Sequence, residues 1–199
     1  NDAELASFKE GELPAGFSWN FRDRMPGNLS PTGDIPTTTR NKVEHGLQIT
    51  RAPSSDATSQ AAGYQWTGME IGGDFEVILG YRNFQSSTKV ATQQAPRVEI
   101  ILALGGPFGK HSQTFSLTHR RETNDKMAFS AIHGVRRKPP EEDWQLSESP
   151  TTATGGRIRI VRRDRTVYYQ TAPEGSDEWV MLERRPASVE DINDLLIGL

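Results

Sequence analysis

Apolar residues return at every second position in run after run of this chain, the pattern of strands with one buried face. In DFEVILGY (74–81), Phe75, Val77, Leu79 and Tyr81 fall on one side, leaving Glu76 and Ile78 on the other. In RVEIILAL (97–104), Val98, Ile100, Leu102 and Leu104 oppose Arg97 and Glu99. RIRIVR (157–162) and TVYYQT (166–171) alternate likewise around a polar turn, the sequence form of a β-hairpin. Further runs at 17–22, 46–51, 64–71, 113–120, 126–133, 178–183 and 193–199 complete a series of short strands. The expectation is an all-β chain: an antiparallel β-sandwich of jelly-roll type with minimal helix. Helical spacing is confined to SVEDINDLL (188–196), where Ser188 and Asp191 suit one capped turn, and the IGL that follows favours a turn leading into a strand.

The 199 residues suit one sandwich domain over 1–199. Polar segments at 26–40, 53–63, 85–96 and 134–156 read as loops. The last of these carries Pro139-Pro140, an acidic EED and a Ser/Thr-rich tail, so it is expected to be a long, exposed, mobile loop unless Trp144 pins it. With 23 basic against 26 acidic residues and a net charge of −3, the chain lacks the basic excess of a nucleic-acid binder. Its longest apolar run, IILAL (100–104), falls far short of the ~20 residues that span a bilayer, so membrane insertion is not expected. The absence of cysteine excludes disulfides, thiolate nucleophiles and cysteine-ligated zinc. The chain starts at Asn1 with no leader in view, which reads as a processed or excised module.

Catalytic signals are weak. Glu70, Asp74 and Glu76 share one strand face only if a strand runs unbroken through Gly72-Gly73, and paired glycines favour a break. His45, His111, His119 and His133 form no close pair and no H-E-x-x-H, so a histidine metal site is not expected. No serine stands in a G-x-S-x-G elbow, and the glycine pairs lack the lysine or helix start of a phosphate cradle.

The order of the pieces carries a resemblance: FRD near the start, EHGLQIT (44–50), GGDFEVILGYRNF (72–84), GGRIRIVRRDRTVYYQ (155–170), EWVML (178–182) and a closing DLLIGL. Together they resemble the concanavalin-like jelly-roll sandwiches of the laminin-G type, and more narrowly a planctomycete bacterial domain family of unknown function. Such folds host lectins, carbohydrate-binding modules, glycosidases and adhesion domains. The E-x-D-x-x-E strand of glycosidases on this scaffold is absent here. The resemblance also implies a structural calcium held by loop oxygens, for which Asn28, Asp34, Asn124 and Asp125 are the available residues. Asx turns account for these residues more simply, and no cofactor is expected.

The face opposite the apolar residues carries the functional expectation. Tyr64, Trp66 and Glu70, with Arg82, Arg97, Arg159 and Tyr168, would place aromatic rings among charged groups, a division of labour suited to sugars. The expected function is a non-catalytic, carbohydrate-binding module of a larger exported bacterial protein. The alternative is a structural or protein-interaction sandwich without a small ligand, and the third reading is a glycoside hydrolase or lyase.

Overall fold

The computed structural model describes residues 29–32, 38–43, 46–51, 63–85, 96–106, 110, 112–121, 126–138 and 141–198. These contain no helix. Their strands are β1 (Leu29–Thr32), β2 (Thr38–Val43), β3 (Gly46–Arg51), β4 (Gly63–Ile71), β5 (Phe75–Tyr81), β6 (Arg97–Leu104), β7 (Gln113–Arg121), β8 (Met127–Lys138), β9 (Glu141–Thr151), β10 (Gly156–Arg163), β11 (Thr166–Ala172), β12 (Val180–Pro186) and β13 (Ile192–Gly198). Two antiparallel sheets form a sandwich: seven strands ordered β1-β4-β13-β6-β7-β8-β9, and four ordered β12-β11-β10-β5. β2 and β3 make a separate hairpin.

The period of two builds the core. Ile100, Leu102 and Leu104 of β6, with Phe115 and Leu117 of β7, meet Phe75, Ile158, Ile160, Val167 and Tyr169 of the smaller sheet. The expected RIRIVRRDRTVYYQT hairpin is present: Arg163 pairs with Thr166 around a two-residue turn, with Asp164 at φ 51°. An aspartate tolerates that left-handed conformation, which would strain a branched residue. The Asp164 N–H also donates to the Asp74 carboxylate at 2.7 Å, tying this turn to the start of β5.

Arg162 shares the inward face of β10 with Ile158 and Ile160. Arg162, 1% exposed, sits 4.8 Å above the Phe75 ring. Its Nε donates to the Gly73 carbonyl at 2.7 Å, and its guanidinium also reaches the carbonyls of Ser188 and Glu190. It joins the turn before β5 to the approach to β13.

The structure corrects two readings of segments. Residues 134–156 are not a long loop: β8 runs on to Lys138, and β9 returns as an eleven-residue strand at the sheet edge. An edge strand with one face in water needs no continuous apolar alternation, and its acids and Pro150 discourage pairing with other chains. The polar segment 26–40 likewise contains β1 and the first residues of β2. The strand read at 17–22 lies outside the described residues.

His119 is a titratable group caught between the sheets. It is fully buried, shares a 2.7 Å hydrogen bond with the Tyr81 hydroxyl, and packs against Phe84 and Phe129. Burial lowers its pKa from 6.5 to about 4. The imidazole is therefore neutral when folded and takes up its proton near pH 6.5 when unfolded, so the unfolded state binds more protons between those values. Stability should fall as pH drops from 6.5 to 4, by about 3 kcal/mol in total from this residue. Burial displaces His133, stacked on Phe115, in the same direction. Urea denaturation across that window checks the expectation: His119→Phe should flatten the slope, and a wild-type stability unchanged over the window would refute it.

Candidate ligand-binding face

The seven residues expected on one outward face are divided between the two sheets. Tyr64 is 3% exposed and Trp66 packs against the core, so this part of β4 presents the opposite side to that expected. The cause is its register on β13: Tyr64 opposes Ile197 and Trp66 opposes Leu195, both inward, and a bulge farther along shifts the pairing so that Ile71 opposes Ile192. Ile71 and Trp66, an odd number of residues apart, thus both reach the core. Glu70 is on β4 as well, and its side chain lies outside the described residues.

Arg159 and Tyr168 do share the outer face of the four-stranded sheet, with Gln170 directly opposite Arg159. Arg159 is nevertheless fully buried, ion-paired with Glu76 and covered by the Trp179 ring at 5.1 Å, while Arg157 lies 4.8 Å from the same ring. Arg82, beyond the end of β5, is exposed and pairs with Glu174 at 3.1 Å. Arg97 belongs to the outer face of the seven-stranded sheet. The three acids weighed for catalysis also disperse: Glu70 is in the larger sheet, Asp74 holds the Asp164 turn and Glu76 holds Arg159. Asn28, Asp34, Asn124 and Asp125 lie outside the described residues, among which no group of three or more acids and histidines is placed to hold a metal ion.

The outer face around Arg97 can be built from the registers. Because Val98, Ile100, Leu102 and Leu104 point inward, Arg97, Glu99, Ile101 and Ala103 point out. The pairings then align residues in rows across β6, β7, β8 and β9. Arg97 faces Arg120; Glu99, Thr118, Ser130 and Glu148 form the next row; Ile101, Ser116, Ile132 and Leu146 form another; and Ala103, Thr114, Gly134 and Trp144 form the last. Two like charges directly opposed would repel. Here each arginine has its own carboxylate: Arg97 with Glu99 at 3.0 Å, and Arg120 with Glu148, which also accepts from the Ser130 hydroxyl at 3.3 Å. Burial raises the Glu99 pKa, and the Arg97 charge works against that shift.

This face reaches water chiefly along β9, where Trp144 is 55% and Leu146 53% exposed. Their neighbour on the strand face is Glu148. The Trp144 benzo ring occupies the space above Gly134; a Cβ there would lie 2.5 Å from Cζ3. Only glycine lets the indole settle onto the sheet at that position. The chain thus offers an indole seated on the sheet, an adjoining leucine, and the partly exposed Arg120–Glu148 ion pair beside them, while Thr114, Ser116, Thr118, Ser130 and Glu99 of the same face are buried. From the sequence Trp144 is an anchor for a loop; the glycine beneath it, directly opposite on β8, has no local sequence signature.

Comparison with known proteins places the chain in context. The family described as "Protein of unknown function (DUF1583) C domain" matches residues 2–199. No curated protein matches the chain. Among solved structures, the fold is similar to that of the CBM2 module of the evolved Dit of Lactobacillus casei BL23 phage J-1. The TM-score is 0.53 at 11% identity, over 90% of this chain and 86% of that one.

Proposed function

From its membership of the DUF1583 C-domain family, whose description assigns no activity, we propose that the chain is a non-catalytic binding module and that its ligand is a carbohydrate. The observation that carries the reading is Trp144, more than half exposed, seated over Gly134 and next to Leu146 and Glu148 on the same strand face. An indole stacks on the apolar face of a sugar ring, and the partly exposed Glu148 carboxylate and Arg120 guanidinium beside it can bond the sugar's hydroxyls. The similarity in fold to a phage module titled a CBM, a carbohydrate-binding module, supports the same reading. Export of the parent protein from a bacterial cell belongs to this proposal, since such a module meets its glycans outside the cytoplasm.

The arrangement of carboxylates supports binding over hydrolysis. Glu99 and Glu148 share a row but stand three strands apart, roughly 14 Å by strand spacing, beyond the ~9.5 Å limit for an acid–base pair. The long exposed edge of β9 also favours a second reading, a protein-interaction module whose partner covers Trp144 and Leu146.

Affinity electrophoresis in gels containing soluble polysaccharides tests the proposal. Retardation of the wild type should be lost or much reduced in Trp144→Ala, corresponding to about 0.5–2 kcal/mol of binding. The unfolding midpoint should barely move, since an exposed ring adds little to the core. If no polysaccharide retards the wild type, the protein-interaction reading takes its place.

A further inference from the structure

Resting on the carbohydrate reading and deepening the same site, we infer that the ligand is a linear polysaccharide that lies along β9 and is held by its flank, with Pro150 as its contact at the far end from Trp144. The register carries the inference. From Gly134 opposite Trp144 to Ala128 opposite Pro150, β8 and β9 pair without a shift. Trp144, Leu146, Glu148 and Pro150 therefore stand in line on one face of β9. All four are exposed, while Ala128, Ser130 and Gly134 beside them on β8 are buried. What reaches water is thus a strip one strand wide, and the distance along β9 from Trp144 to Pro150 is roughly 20 Å. No described strand pairs with the other edge of β9, so none of them walls the strip on that flank.

An indole covers one sugar ring, so a terminal sugar alone would use Trp144 and leave Leu146 and Pro150 idle. A site that reads a chain end has to enclose it. Exposed side chains in a line enclose nothing; they present apolar contacts at successive distances along one axis, with the Glu148 carboxylate between Leu146 and Pro150. A linear chain of sugars matches that layout, because its rings repeat an apolar flank and a set of hydroxyls along a single direction. Each further ring laid on the strip adds a contact without a second loss of translational freedom, the gain that linked binding elements bring. The length of the ligand, and not the identity of its end, then sets the affinity.

The test starts from whichever polymer retards the wild type among mixed-linkage β-glucan, xyloglucan, galactomannan and polygalacturonate. Oligosaccharides of rising length, prepared from that polymer, then compete against it in the gel, each with its reducing end intact or reduced to the alditol. The expected result is competition that strengthens by on the order of tenfold from disaccharide to hexasaccharide and is unchanged by end reduction. Pro150→Ser should leave the hexasaccharide no better a competitor than a shorter chain, while Trp144→Ala weakens every length. Melting curves of Pro150→Ser should match the wild type, since the residue is exposed, and Leu146→Ser repeats the measurement at a second exposed position. Competition that does not rise with length, or that end reduction abolishes, overturns the inference and leaves the carbohydrate reading standing. A gain with length that neither Pro150→Ser nor Leu146→Ser reduces overturns it as well. Absence of retardation by every polymer overturns both.

Discussion

Replacing Arg162 with methionine is expected to destabilise the domain by about 3–5 kcal/mol, lowering its thermal midpoint by on the order of 10 °C. Methionine restores much of the apolar stem over Phe75 but none of the donors. The carbonyls of Gly73, Ser188 and Glu190, which the guanidinium now reaches, would lose that partner. Each buried acceptor left without one costs about 1–3 kcal/mol. Lysine should not rescue the loss, because an ammonium on a flexible stem lacks the planar fork that serves separated acceptors at once. Burial opposes the charge on Arg162, while Asp191 and Asp74 favour it. The measurement is guanidinium or urea denaturation of wild type, Arg162→Met and Arg162→Lys. A loss below about 1 kcal/mol would mean that water replaces the guanidinium and that the cation does not hold the two segments together.

Trp66→Ala should also be costly, by about 3 kcal/mol, because the ring is part of the packing between β4 and the core. Its effect should be the reverse of Trp144→Ala: folding impaired, and ligand binding unchanged once the protein is folded. Melting curves and affinity gels on both variants check the contrast. A Trp66→Ala protein with native stability and lost binding would return the ligand to the β4 side of the molecule.

The contrast between these tryptophans shows what could be read from the sequence. Where a strand alternates without interruption, sidedness was legible: Val98, Ile100, Leu102 and Leu104 lie inward, and Arg159 and Gln170 lie on the outer face of their sheet. Pointing outward did not mean meeting solvent, however, since Arg159 is fully covered. For β4 the alternation misleads, because tyrosine and tryptophan suit either environment and the bulge opposite β13 changes parity partway along. Trp144 was hidden by the polarity of its own strand. EEDWQLSES has the composition of a loop, and it becomes a strand because β8 supplies the partner hydrogen bonds along its length. The pairing of Glu148 with Arg120 joins residues 28 apart in sequence, which local pattern cannot anticipate.

β13 stands between β4 and β6, in the interior of the larger sheet, although every other strand precedes it in the chain. During synthesis β6 to β9 can pair as successive neighbours while they emerge, but the edge of β6 that will receive β13 stays open until the ribosome has released residues beyond 192. For that interval β6 offers one unpaired edge of an Ile- and Leu-rich strand to any other nascent chain nearby. Termination just short of β13 would leave that state permanent, making this strand the point at which a folding chain commits to solubility or to aggregation.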